Sequence, residues 1–239
     1  MIPPVLLLHG FPLDARMWEA QRARLEQAGY EVIAPNLPGR EPENDIARWG
    51  ERILQLLPGP FVPVGCSMGG YVIFELWRQA ADRIPAAAFV DTRATADTPE
   101  GRQARADTIR LLGEAGFDPF WEAQAPKLFG PTAPAEVIER ARAIAAEQPM
   151  AGLVAALQAL AARPDSRETA ASMSVPALVL VGEEDTLTPP SDSEELARLL
   201  PLGRLVSLTG AGHLSPLEQP EEVSEELLGF VEQVLSGRD

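Results

Sequence analysis

The sequence predicts an α/β fold: a mostly parallel, doubly wound sheet of about six strands with a helical cap. Three observations predict it. Short, nearly unbroken apolar runs alternate with helical patterns, as in parallel sheets covered on both faces. Residues 92–175 carry helical patterns and no convincing strand. Finally, "VGCSMGG" (64–70) places a serine between glycines where a strand pattern meets a helix pattern.

The elements follow in order. "VLLLHG" (5–10) is a buried strand ending in Gly, and 16–29 is an amphipathic helix with a Gly stop. "EVIAPNLPG" (31–39) reads as a strand entering a Pro/Gly turn, and 45–57 as a helix with Asn44 or Asp45 near its start. "FVPVG" (61–65) is a strand, followed by a helix from Met68 to about Ala81. Pro63 sits awkwardly there, because proline removes a ladder donor. "AAAFVD" (86–91), "ALVLVG" (177–182) and "GRLVSLTG" (203–210) are further strands, with helices over 191–200 and 220–235. Between them, 100–116, 118–130, 134–148 and 150–163 read as four helices. The expected organisation is a core of residues 1–91 and 176–239, with a cap of 92–175 over the carboxyl ends of the strands. Ligands of open α/β sheets bind at those ends.

Composition narrows the function classes. The chain has 239 residues, 46% of them hydrophobic, enough for one sizeable core. A formal net charge of −15 with no basic cluster argues against nucleic acid and against an anionic membrane surface. Cys66 is the only cysteine, so no intrachain disulfide is expected. The N-terminus has no signal-peptide pattern, and no apolar run approaches the roughly 20 residues of a membrane helix. A cytoplasmic protein is the expectation. No His/Cys cluster suggests a metal, and no Gly-x-Gly-x-x-Gly suggests a dinucleotide, so no cofactor is expected.

Chemistry centres on Ser67. In Gly-x-Ser-x-Gly, a sharp strand-to-helix turn projects the serine hydroxyl from the sheet, and Gly65 and Gly69 avoid side-chain clashes. A serine needs a base within hydrogen-bond reach, and the base needs an orienting acid. The chain has only two histidines, His9 and His213, each at the carboxyl end of a strand pattern. Asp185, just after the next-to-last strand, is the acid candidate. Asp91, at the end of the preceding parallel strand, is its rival.

These pieces together resemble the α/β-hydrolase superfamily, near its small esterase, lactonase and cofactor-free perhydrolase types. The matching segments are "LLLHGFP", "APNLPGR", "VGCSMGG", "VLVGEEDTLTPP" and "GAGHLSPLEQPEE", in the family order over nearly the whole chain. The resemblance implies Ser67 as nucleophile, His213 as base and Asp185 as orienting acid. It makes His9 and Gly10 the support of an oxyanion loop, with the N–H groups of Phe11 and Met68 forming the hole. Three departures stand out. The chain starts at what is usually the third strand, so the first hairpin is expected to be absent. Asn36 and Arg40 replace an acid and a histidine in the usual turn. Cys66 stands where His or Tyr is usual.

The implied activity is hydrolysis of a small to medium carboxylic ester or lactone through an acyl-enzyme. Perhydrolysis, of the haloperoxidase type, would use the same residues. A non-catalytic small-molecule receptor on the same scaffold is the reading from another class. Cys66 reads as buried filler, and Glu183 and Glu184 as solvated. Arg93 either binds a substrate carboxylate or pairs with Asp91, Asp97 or a cap acid. Phe117, Phe120, Trp121 and Phe129 read mainly as core, with one or two, such as Trp121, lining an apolar pocket. An exposed sheet edge is compatible with a homo-oligomer.

Overall fold

A computed structural model of the chain describes residues 2–37 and 43–236. Six strands form one sheet: β1 (Val5–Leu8), β2 (Val32–Ile33), β3 (Val62–Cys66), β4 (Ala87–Val90), β5 (Pro176–Gly182) and β6 (Leu202–Leu208). Their order is β2-β1-β3-β4-β5-β6, and every pairing is parallel. The sheet is therefore wholly parallel, where the sequence predicts a mostly parallel one. The strand expected over 31–39 contracts to two residues at the sheet edge. Of its following turn, Pro38, Gly39 and Arg40 lie outside the described residues.

Alternation along β1 shows why the sheet is doubly covered. Val5 and Leu7 pack on one face with Leu25, Val223 and Leu227, from α1 (Glu19–Gln27) and α11 (Pro220–Ser236). Leu6 and Leu8 pack on the other with Ile53, Val72 and Leu196, from α2 (Ile46–Leu56), α3 (Met68–Ala80) and α9 (Pro190–Leu199). Successive side chains of a strand point to opposite faces, so an unbroken apolar run demands helices on both.

Pro63 is accommodated by register. Phe61 N–H bonds to Arg83 O on the β4 side and Val62 N–H to Pro4 O on the β1 side. The proline nitrogen therefore faces β4, where the ladder begins only at Val64 opposite Ala88. The missing donor falls just outside the paired region.

Five helices lie between β4 and β5: α4 (Pro99–Ala115), α5 (Phe117–Leu128), α6 (Ala135–Ala146), α7 (Met150–Ala162) and α8 (Arg167–Ser172). The short α8 and α10 (Ser215–Glu218) have too few residues to leave an apolar period in the sequence. The insertion shares its core with the sheet. Trp121, Leu128 and Ile144 join one face cluster, and Ala156, Leu160 and Met173 the other. Among the described residues, no single helix is long and apolar enough to cross a membrane.

Candidate active site

β3 is the first strand to fall on the far side of β1, so the chain reverses its winding between them. In open α/β sheets a crevice opens at such a switch point, beyond the carboxyl ends of the strands. Ser67 occupies the turn from β3 into α3 with φ 49° and ψ −108°. A non-glycine residue held there carries strain of about 1–3 kcal/mol, which surrounding structure must over-determine. Ser67 N–H donates to Val90 O at 2.8 Å, and its own carbonyl accepts from Gly70 N–H and the Thr92 hydroxyl, each at 2.9 Å. Close packing adds to the lock. A Cβ on Gly65 would lie 2.4 Å from the Gly69 carbonyl carbon, and one on Gly69 only 2.1 Å from Leu8 O.

The turn aims the Ser67 hydroxyl at His213, Oγ lying 2.8 Å from Nε2. His213 Nδ1 lies 2.7 Å from Asp185 Oδ2. A carboxylate partner calls for a proton on Nδ1, which leaves Nε2 to accept from the serine. Asp185 is itself held. Its Oδ1 accepts the N–H groups of Leu187 and Thr188, and its Oδ2 accepts the Thr188 hydroxyl at 2.6 Å. That hydroxyl oxygen also lies 3.1 Å from His213 Nδ1.

Electrostatics agree with this arrangement. Burial lowers the pKa of His213, but the charge and hydrogen bond of Asp185, then Asp91, outweigh it, and the net shift is upward. Arg93 opposes that rise. Burial raises Asp185, yet His213 and Thr188 hold it net below the usual range.

Asp91 is placed differently from Asp185. It has φ 47° and is fully buried. Its Oδ1 accepts Gly182 N–H at 2.9 Å, while Oδ2 accepts the N–H and hydroxyl of Ser215 at 3.0 and 2.6 Å. Burial, then the Asp185 charge, push it up to about 8 against the pull of His213 and these donors. It clamps β5 to the loop carrying His213 and does not bond to the imidazole.

His9 is a support. Leu37 N–H donates to its Nε2 at 2.7 Å, so the proton sits on Nδ1, which lies 3.1 Å from Gly10 O. Burial keeps the ring neutral by lowering its pKa. Among the described residues, the N–H groups of Phe11 and Met68 have no hydrogen-bond acceptor. Met68 opens α3, where free N–H groups and the helix dipole favour an anion. Burial, with Asp91 and Asp185 nearby, pushes the Cys66 thiol up, so its thiolate is disfavoured.

A cavity of about 230 Å³ opens beside Ser67 and His213. Phe11, Leu128, Leu157 and Leu160 give it an apolar wall, and Tyr71, Arg93 and Thr188 polar points. Trp121 is not in that wall. It is buried between Phe117 and Phe129, with centroids 6.2 and 6.3 Å away, because the apolar faces of the insertion turn onto the sheet. Phe120 acts one layer back, edge-on to Phe11 at 6.0 Å. Arg93 pairs with Asp97 and Asp192, at 3.2 and 3.5 Å, and has no hydrogen bond to Asp91. Glu183 and Glu184 are exposed.

Sequence reasoning assigned no role to Ser215 and Glu218. The Glu218 carboxylate accepts Gly130 N–H at 2.8 Å and Gly212 N–H at 3.0 Å, tying the end of the α5 segment to the histidine loop. Leu214 N–H donates to Leu128 O at 3.0 Å across the same seam. The signal was a serine and an acid shortly after His213, but Asp91 and Gly130, which they meet, are remote in sequence.

Fold and site define the class: the chain belongs to the alpha/beta hydrolase family, whose model matches residues 5–226. It is a hydrolase of the esterase and enol-lactonase type. A 3-oxoadipate enol-lactonase from Acinetobacter baylyi is 26% identical, over 97% of this chain and 90% of that protein. A pimeloyl-[acyl-carrier protein] methyl ester esterase from Neisseria meningitidis is 30% identical, over 97% and 93%. The solved structure of a thermophilic esterase from Thermogutta terrifontis, with malate bound, superimposes with a TM-score of 0.92 at 35% identity, covering 98% of this chain and 90% of that one.

Proposed function

We propose that the protein cleaves small to medium carboxylic esters or lactones through an acyl-enzyme on Ser67. The observation that carries this reading is the unbroken chain Ser67 Oγ, His213 Nε2, His213 Nδ1, Asp185 Oδ2, at 2.8 and 2.7 Å, beside a cavity. His213 takes the hydroxyl proton as Ser67 attacks the carbonyl carbon, and Asp185 stabilises the imidazolium. The Phe11 and Met68 N–H groups receive the oxyanion, each worth roughly 3–4 kcal/mol of transition-state stabilisation. The imidazolium then protonates the leaving alcohol. Water, deprotonated by His213, attacks the acyl carbon and releases the acid, restoring Ser67.

The cavity volume favours small acyl and alcohol groups, since drug-sized ligands fill roughly 300–1,000 Å³. The helical insertion 92–175 is the substrate-selecting cap in this reading, because α4, α5 and α7 contribute to the cavity wall. The continuous hydrogen-bond chain supports turnover over a receptor role.

A fluorophosphonate probe and p-nitrophenyl esters of increasing acyl length test this. The expected result is an adduct on Ser67, turnover that peaks at a short acyl chain, and loss of both in a folded Ser67→Ala variant. Most of the esterase rate surviving in Ser67→Ala would overturn the mechanism.

A further inference from the structure

The cavity beside Ser67 is cationic within a strongly acidic chain. Net charge is −15, yet the charged residues lining this cavity, other than the titratable His213, are Arg93, Arg105, Lys127 and Asp97. Asp97 cannot neutralise all three cations. It is buried and shared among Arg93 at 3.2 Å, Arg163 at 2.7 Å and a close contact from Arg105. With Arg105 and Arg163 drawing on Asp97, Arg93 is left underbonded. Its second carboxylate, Asp192, lies at 3.5 Å, and its buried Nε has no partner among the described residues. Lys127, the only lysine of the chain, has no acceptor among the described residues.

Surplus charge in a partly desolvated cavity costs free energy until a counter-charge arrives. A guanidinium fork with unspent donors matches a planar carboxylate. The cavity is small, so a substrate with its carbonyl at Ser67 must extend towards these cations. We propose that the site selects esters or lactones that carry a carboxylate of their own, held by Arg93 and Lys127. This rests on the ester-hydrolase reading above and deepens it. It also accounts for a basic pocket in a chain whose overall charge would repel an anionic substrate: local field governs the bound state, and the pocket walls focus it.

The test compares kcat/KM for monoethyl esters of short dicarboxylic acids with ethyl esters of equal length ending in a neutral amide. Wild type, Arg93→Gln and Lys127→Gln are measured. Wild type is expected to favour the half-ester by about tenfold or more, the yield of one charge-assisted contact. The preference should shrink with added salt, and in both variants, chiefly through KM. Lys127 is exposed, so its variant reports even if Arg93→Gln folds poorly. Equal or faster cleavage of the amide ester by wild type overturns the selectivity, as does an undiminished preference in both variants. If Ser67 takes the fluorophosphonate while the preference is absent, only the selectivity falls. If Ser67 is unlabelled and neither ester is cleaved, the hydrolase reading falls and takes the selectivity with it.

Discussion

Asp91 receives both the backbone N–H and the hydroxyl of Ser215, two residues beyond His213. Its other oxygen holds Gly182 at the end of β5. The Asp91 carboxyl group, just beyond β4, thus serves as an anchor for the histidine loop.

Asp91→Asn presents an amide N–H₂ to donors on one side. Stability should fall by about 1–3 kcal/mol, and kcat should fall more than KM rises, because the loss is in His213 placement. The variant should also change the pH dependence of stability. Asp91 is raised from 3.8 to about 8 in the fold, so between those values the folded chain holds the extra proton. That contribution is complete below 3.8 and is lost as pH rises through about 8. Wild-type Tm should therefore decline more steeply with pH over this window than that of Asp91→Asn. Parallel melting curves at several pH values decide it.

In the proposed mechanism His213 must be neutral to accept the Ser67 proton. His213 is raised above its ordinary 6.5, so kcat/KM should climb with pH through a midpoint higher than that. Arg93 opposes protonation of His213, and Asp185 and Asp91 favour it. Arg93→Gln should therefore move the acid limb to higher pH. A limb that stays put or moves down would show that the Arg93 charge does not reach the imidazole.

Gly69→Ala should cost about 3 kcal/mol or more. Its methyl group would lie 2.1 Å from Leu8 O, with backbone on both sides of the clash. Gly113→Ala is the matched control. Gly113 is exposed in α4 with nothing within 4 Å of the added carbon, and the helix should gain roughly 0.5–1 kcal/mol. Thermal denaturation of the pair reads both signs.

Glu218→Ala strips two buried N–H groups of their acceptor, on Gly130 and Gly212. Each orphan costs about 1–3 kcal/mol. Hydrogen exchange should rise at both ends of the seam, and ester turnover should drop with His213 less firmly held. Unchanged exchange at Gly212 would mean that the Leu214 to Leu128 bond suffices.

The sequence alone determined the elements whose signals are local. Unbroken apolar runs marked the strands of a doubly covered sheet. Glycines around Ser67 marked the turn, since their need is for space at short range. Having only two histidines narrowed the base before any geometry was known. Tertiary structure decided what depends on the meeting of distant segments. Remote partners separated His9 from His213: Leu37 N–H occupies Nε2 of the first, while Asp185 holds Nδ1 of the second and leaves its Nε2 facing Ser67. Hydrogen-bond partners separated Asp185, which meets the His213 ring, from Asp91, which holds Gly182 and Ser215, although both are buried at strand ends. Trp121 turned to the core because the insertion packs its apolar faces on the sheet. The sharing of Asp97 among three arginines, which leaves Arg93 underbonded, arises only where residues 93, 97, 105 and 163 converge. Side-chain chemistry is written residue by residue, but hydrogen bonds and charge balance are properties of neighbours in space.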